Sequence, residues 1–302
     1  MKRVIITGAT GAIGNALIRE LIAQNIEVLV LAREGSARNA TIPKSPLVTV
    51  RYCDLAGLST LQKEDDRTYD VFYHFAWDGT VGEARNDMYL QNRNVAYALD
   101  AVHAAKRFGC HTFIGAGSQA EYGRVEGMLT PDTPTHPEMG YGIGKLCAGL
   151  MTREECHALG MHHIWVRVLS IYGPFDGMKS MIMSTVKNFK DGIAPKFTKG
   201  EQKWDYLYSG DAARAFRLLG QKGIDGKVYV LGSGEARPLA EYIREIRDAA
   251  APDAPLTLGE IPYGPRQVMH LQADISALRE DTGWEPVCSF REGMEALMKA
   301  WQ

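Results

Sequence analysis

The chain has 302 residues, 45% hydrophobic and 23% charged, with a formal net charge of −2 at pH 7. That length suits one large α/β unit or two smaller domains, and the near-neutral charge, free of blocks of one sign, gives no case for nucleic-acid or membrane-surface binding. The five cysteines (Cys53, Cys110, Cys147, Cys156, Cys288) have no CxxC spacing, which points to reduced thiols in a cytoplasm and to no metal site.

The first element predicted is a β-branched strand, "RVIIT", residues 3–7. The apolar run there is only about four residues long before a glycine-rich turn, too short for a leader peptide or a membrane span. A helix follows, with apolar residues at 13, 17, 18, 21 and 22. "EVLVLA", "LVTVRY", "DVFYHFA", "HTFIGA" and "HHIWVRVLSIY" read as further strands. Long helices are expected at about 86–108 and 141–159. Near-continuous apolar strands separated by helices predict a doubly wound α/β fold, a parallel sheet covered on both faces. After Tyr172 the pattern changes. "GPFDGMKS" is turn-rich, "KVYVLG" is a strand, and "LAEYIREIRDAA", "ISALREDTG" and "SFREGMEALMKAW" are amphipathic helices. We therefore expect a dinucleotide-binding domain over 1–172 and a smaller C-terminal α/β domain over 173–302. The boundary is soft, because a helix at about 209–221 can pack back on the first domain.

The first strand runs into Thr7-Gly8-Ala9-Thr10-Gly11-Ala12-Ile13-Gly14. Gly8 permits a tight turn, Gly11 lets backbone approach a pyrophosphate, and Gly14 allows close helix–strand packing. The helix N-terminus favours the negative charge. Set between strand and helix, the motif predicts a dinucleotide site. An acid after the second strand suits NAD, and a basic residue suits the 2′-phosphate of NADP. Ala32 stands where the acid is expected and Arg33 follows, so NADP is expected ahead of NAD. The alternative leaves Arg33 in solvent and puts Glu34 on the ribose. In "CDL", with Leu55 beside it, Asp54 either accepts from the adenine amino group or stands as a solvated loop residue.

Tyr141 and Lys145 are four apart on an expected helix and share one face. An ammonium near a phenol favours the phenolate and makes Tyr141 a general acid toward a carbonyl, or a base toward an alcohol. Gly142 and Gly144 cost about 1 kcal/mol each in a helix relative to Ala, so a close neighbour is expected there.

The glycine loop, a Ser at the end of a strand in "GAGS" and the YxxxK pair together resemble the short-chain dehydrogenase/reductase superfamily. "HFAW" (His74–Trp77), Asn92, "SQAEYG", "RVLSIYGP", "WDYLYSGDAARA" and "ADISALREDTGWEP" resemble motifs of its extended branch, the NAD(P)-dependent nucleotide-sugar epimerases, dehydratases and ketoreductases. The resemblance runs from residue 1 to about 300. It implies a Rossmann fold, a substrate-binding C-terminal domain, and a homodimer formed through the helices near 86–108 and 141–159. It implies that Ser118 polarises a substrate oxygen beside Tyr141 while Lys145 orients the cofactor. Phe75, Ala76, Trp77, Asn92 and Ile171 join the cofactor set. Trp77, Ser118, Gln119, Tyr122, Ser170, Trp204 and Arg266 form the substrate set, with Tyr122 as pocket wall. Glu121 takes no role from these motifs.

The chain also departs from the family pattern. The dehydratases carry an Asp-Glu pair after the Ser/Thr, where this chain has Gln119 and Ala120. Ser170 stands for an Asn and Trp204 for an Arg, beside Lys203, while Arg266 lies at a shorter spacing than usual. The expectation is a ketoreductase acting on a nucleotide-linked 4-keto-6-deoxy sugar. An epimerase with tightly held NAD is the close alternative, and a non-catalytic dinucleotide-sensing regulator a more distant one.

Overall fold

The computed structural model describes residues 1–265 and 267–301. Its chain order is β1 (Arg3–Thr7), α1 (Ala12–Ala23), β2 (Glu27–Ala32), β3 (Val48–Tyr52), β4 (Val71–His74), α2 (Met88–Arg107), β5 (Thr112–Ser118), α3 (Gly140–Ala158), β6 (His162–Val168) and β7 (Ser170–Tyr172). There follow α4 (Met181–Lys190), β8 (Lys203–Trp204), β9 (Tyr206–Tyr208), α5 (Ser209–Lys222), β10 (Val228–Leu231), β11 (Arg237–Pro238), α6 (Leu239–Ala250), α7 (Ser276–Thr282) and α8 (Phe290–Ala300).

Seven strands form one parallel sheet in the order β10-β6-β5-β4-β1-β2-β3. The two-residue alternation of a strand sorts its side chains between the faces. In β1, Val4 and Ile6 join a core with Leu17, Ile18 and Leu21 of α1 and Phe216 and Leu219 of α5. Ile5 points the other way, into a core with Ala101, Val102 and Ala105 of α2. In β2, Val28 and Val30 take the first side and Leu29 and Leu31 the second. Both faces are thus buried, which is why these strands are apolar throughout.

The sheet does not end at residue 172. α5 packs on α1, and β10 adds to the sheet edge beside β6, so residues 209–231 return to it. The long "HHIWVRVLSIY" stretch divides at Leu169, whose N–H bonds to the Leu231 carbonyl. β6 stays in the large sheet, while β7 pairs with β9. A third core, built by α4, α6 and α8 around Tyr172, Tyr242 and Phe290, holds the C-terminal elements. Helix α2 starts at Met88, behind a 3₁₀ turn at Gly82–Asn86, because Asp87 caps it through the Leu90 N–H.

Candidate active site

Strand order reverses at β1, with β2 on one side and β4 on the other. In such sheets ligands sit outside the carboxyl ends of the strands at this point. A cleft of about 490 Å³ lies there, lined by Thr7–Gly11, Ala32, Arg33, Asp54, Leu55 and Phe75–Trp77. Most of the cofactor residues expected from the sequence are therefore brought together. The glycines differ in what they permit. Gly8 has φ +74°, and a Cβ there would stand 2.7 Å from the Ala76 nitrogen. A Cβ on Gly14 would meet the Gly8 carbonyl at 2.3 Å. On Gly11 it would meet only that carbonyl, at 3.7 Å. No protein packing demands glycine at 11, so the space above it fits a ligand that approaches the backbone, as a pyrophosphate does. The loop is fixed from below by Thr7, whose hydroxyl accepts the N–H groups of Phe75 and Ala76 and bonds His74 Nδ1 at 3.0 Å. Burial pushes His74 down to about 3, so the ring is neutral.

Ser36, Arg38 and Asn39, which the sequence reading missed, line the same cleft beside Arg33. Arg38 donates to the carbonyls of Thr10 and Phe175, 2.6 and 2.8 Å away, and Asn39 holds the Arg33 carbonyl at 2.9 Å. Glu34 lines a neighbouring, more open recess with Arg51 and Tyr52. Asp54 Oδ1 accepts the Gly57 N–H at 2.8 Å, so one of its oxygens already closes a turn.

Ser118 ends β5, and Tyr141 opens α3. Burial pushes the Tyr141 phenol above its ordinary range, while the Ser118 side chain and the Arg85 guanidinium draw it back down. Lys145, 4% exposed, donates to the Ala116 carbonyl at 2.7 Å and lies 3.9 Å from the centre of the Trp77 ring. Burial pushes its ammonium down to about 7, and the charge of Glu121 pulls it back up. Trp77 stands edge-on to Tyr141 with centroids 6.3 Å apart, and its indole N–H is held by Gln91 at 2.8 Å. Trp77, which lines the cleft, thus joins Tyr141 to Lys145, and Lys145 is tied in turn to Ala116 of β5, two residues before Ser118.

Several expectations need correction. Asn92 is exposed on α2, while Asn94, two residues on, is buried and clasps the backbone N–H and carbonyl of Asp78. A helix turns positions two apart by about 200°, so Asn92 and Asn94 face opposite sides of α2 and only Asn94 faces inward. Tyr122 is not a pocket wall. It is fully buried, its hydroxyl donates to the Thr130 carbonyl at 2.8 Å, and Arg167 covers its ring. Ile171 pairs with Leu207 and packs against the main core. Gln119 is half-buried at the head of a 3₁₀ turn, Gln119–Glu121. The two departures Ser170 and Trp204 pair with each other, the indole N–H donating to Ser170 Oγ at 2.8 Å. Arg266 lies outside the described residues.

Glu121, Gln91 and Asn94 carry no motif role in the sequence, yet all three are buried and hydrogen-bonded. Glu121 is fully buried. Its carboxylate accepts the Ser118 N–H at 2.8 Å, the Trp165 indole at 3.0 Å and the Arg167 guanidinium at 2.9 Å. Only the capping-box spacing, Ser at the N-cap and Glu three residues on, signals it.

Residues 4–232 match the model of the NAD dependent epimerase/dehydratase family. The dTDP-glucose 4,6-dehydratase of Neisseria meningitidis serogroup B is 23% identical over 99% of this chain and 93% of its own length. The UDP-glucose 4-epimerase of Azospirillum brasilense is 24% identical, covering 99% and 92%. Among solved structures, the UDP-N-acetylglucosamine 4-epimerase of Methanobrevibacter ruminantium M1 superposes with a TM-score of 0.88 at 22% identity, covering 99% and 98%. The UDP-glucuronic acid 4-epimerase of Bacillus cereus, in complex with UDP-glucuronic acid and NAD, gives 0.84 at 21% identity over the same shares.

Proposed function

The chain belongs to the NAD dependent epimerase/dehydratase family, and from that premise we propose that it reduces a nucleotide-linked 4-keto-6-deoxy sugar with NADPH. The observation that carries this reading is that Tyr141 and Lys145 both pack on Trp77, which lines the dinucleotide cleft, with Ser118 acting on the Tyr141 phenol and with Gln119 and Ala120 where water elimination needs acids. When bound, the dinucleotide supplies or accepts a hydride. The chain's own residues do the rest. The glycine loop and the α1 N-terminus hold the pyrophosphate. Ser118 holds the substrate oxygen, Tyr141 delivers a proton to it, and Lys145 orients the cofactor's ribose. Arg33, Ser36 and Arg38 beside Ala32 support a 2′-phosphate, because no carboxylate stands at the end of β2.

The second reading is an epimerase with tightly held NAD. It uses the same three residues, and the relatives and solved structures of this fold named above include epimerases. A homodimer through α2 and α3 fits their exposed Met88, Tyr89, Ile143, Leu150 and Met151.

The test is an NADPH-oxidation screen over CDP-, GDP-, dTDP- and UDP-linked 4-keto sugars, with Tyr141→Phe as control. We expect the variant to lose about 10²–10⁴ in turnover while still binding NADPH. Full activity in that variant overturns the role of Tyr141. Co-purifying NAD without net NADPH consumption selects the epimerase.

A further inference from the structure

Among the described residues, the cation nearest the Tyr141 ring is not the lysine of its own helix. The Arg85 guanidinium carbon lies 4.4 Å from the centre of the ring, whereas Lys145 Nζ is 5.9 Å away. Lys145 is committed elsewhere, to the Ala116 carbonyl and the face of Trp77. Arg85 is delivered by a segment tied down at each step. Asn94 clasps Asp78, and Gln91 donates to the carbonyls of Gly79 and Ala84, 3.1 and 2.9 Å away. Asn86 accepts the N–H of Gly140 at 3.2 Å, one residue before Tyr141. A Cβ on Gly140 would stand 3.0 Å from the Arg85 carbonyl, so the turn seats directly on the start of α3. The side chain is then braced by Nη1 on the Thr80 carbonyl and Nε on the Met139 sulfur.

We propose that Arg85 is a second active-site cation, whose guanidinium stacks on Tyr141 and stabilises the negative charge left there whenever the phenol gives up its proton. The chemistry is that of a cation over an aromatic face, strengthened when the ring becomes an anion. This rests on Tyr141 being the proton donor, and it extends that reading. The groups facing Tyr141 act in both directions: burial and Glu121 oppose the phenolate, while Ser118 and Arg85 favour it. Lys145 stands further off on α3. Removing Arg85 therefore moves the ionisation of Tyr141 to higher pH. The sign is the same whether the phenol serves as acid in a reduction or base in an oxidation.

The experiment is an ultraviolet tyrosinate titration of the cofactor-free protein, each form read against its own Tyr141→Phe counterpart so that the other tyrosines cancel. Arg85→Met is expected to raise the half-ionisation of Tyr141 by about one unit or more, and Arg85→Lys by less. The pH profile of turnover moves in the same direction, and added guanidinium restores part of the loss in Arg85→Ala. An unchanged titration in Arg85→Met and Arg85→Lys overturns the proposal, even if turnover falls. The titration needs no substrate, so it stands or falls separately from the sugar assignment. A shifted titration with no 4-keto sugar reduced upholds Arg85 and removes the ketoreductase reading.

Discussion

Glu121 sits between two residues that motif reading singles out, and it does more than one of them. Its carboxylate fixes the Ser118 backbone and neutralises Arg167, whose side chain is 9% exposed against 0% for Glu121. A buried pair of this kind contributes little net stability over a well-packed apolar pair, but breaking it leaves a charge stranded. Glu121→Gln is therefore expected to cost about 3 kcal/mol in urea unfolding. The double variant Glu121→Met, Arg167→Met should recover much of that loss. A double variant as unstable as the sum of its singles argues against the stranded charge as the cause. Tyr122 shows the converse. Its motif suggested a pocket wall, but its hydroxyl is spent on Thr130 behind the site.

At the scale of elements, the site depends on how closely α3 approaches the end of β5. Gly142 makes that approach: a Cβ there would stand 2.2 Å from the Ala120 carbonyl. Gly144 has more room: a Cβ there would meet a Trp77 ring atom at 3.3 Å and the Gln91 Cβ and backbone carbonyl at 3.4 Å. A glycine inside a helix predicts a close neighbour at both positions, but only the fold shows that the one at Gly142 lies more than 1 Å closer. Gly142→Ala should push the Gln119–Glu121 turn away from α3, costing about 1–3 kcal/mol and separating Ser118 from Tyr141. Gly144→Ala should cost less, because the helix regains about 1 kcal/mol of propensity. Thermal midpoints and turnover of the two variants check this. Equal effects would show that the Ala120 contact does not set the site.

For the molecule as a whole, both sheet faces are covered, and one helical surface retains exposed apolar residues. Ile143, Leu150 and Met151 of α3 and Met88 and Tyr89 of α2 are exposed, and the two helices pack on each other. Exposed apolar residues on two packed helices suit the homodimer proposed above, in which a second copy presenting the same face would bury them. Leu150→Glu is expected to convert a dimer into monomers in light scattering after gel filtration. Monomeric wild-type protein at micromolar concentration overturns the proposed dimer. No helix of the described residues is long and apolar enough to cross a membrane.

The sequence by itself determined the elements whose physics is local. Apolar runs gave the strands of a two-faced sheet, the 3.6-residue period gave the long helices, and the glycine spacing gave the dinucleotide loop. Tyr141 and Lys145 were legible because four residues on a helix share a face. The tertiary structure alone decided what depends on contacts between distant segments. It returned β10 to the sheet edge, turned Asn94 inward in place of Asn92, and paired Ser170 with Trp204 across 34 positions. It also laid Arg85 on a ring 56 residues further along the chain. Burial of a charge, as in Glu121, leaves no periodic trace, because the cost is met by partners whose positions only the fold sets.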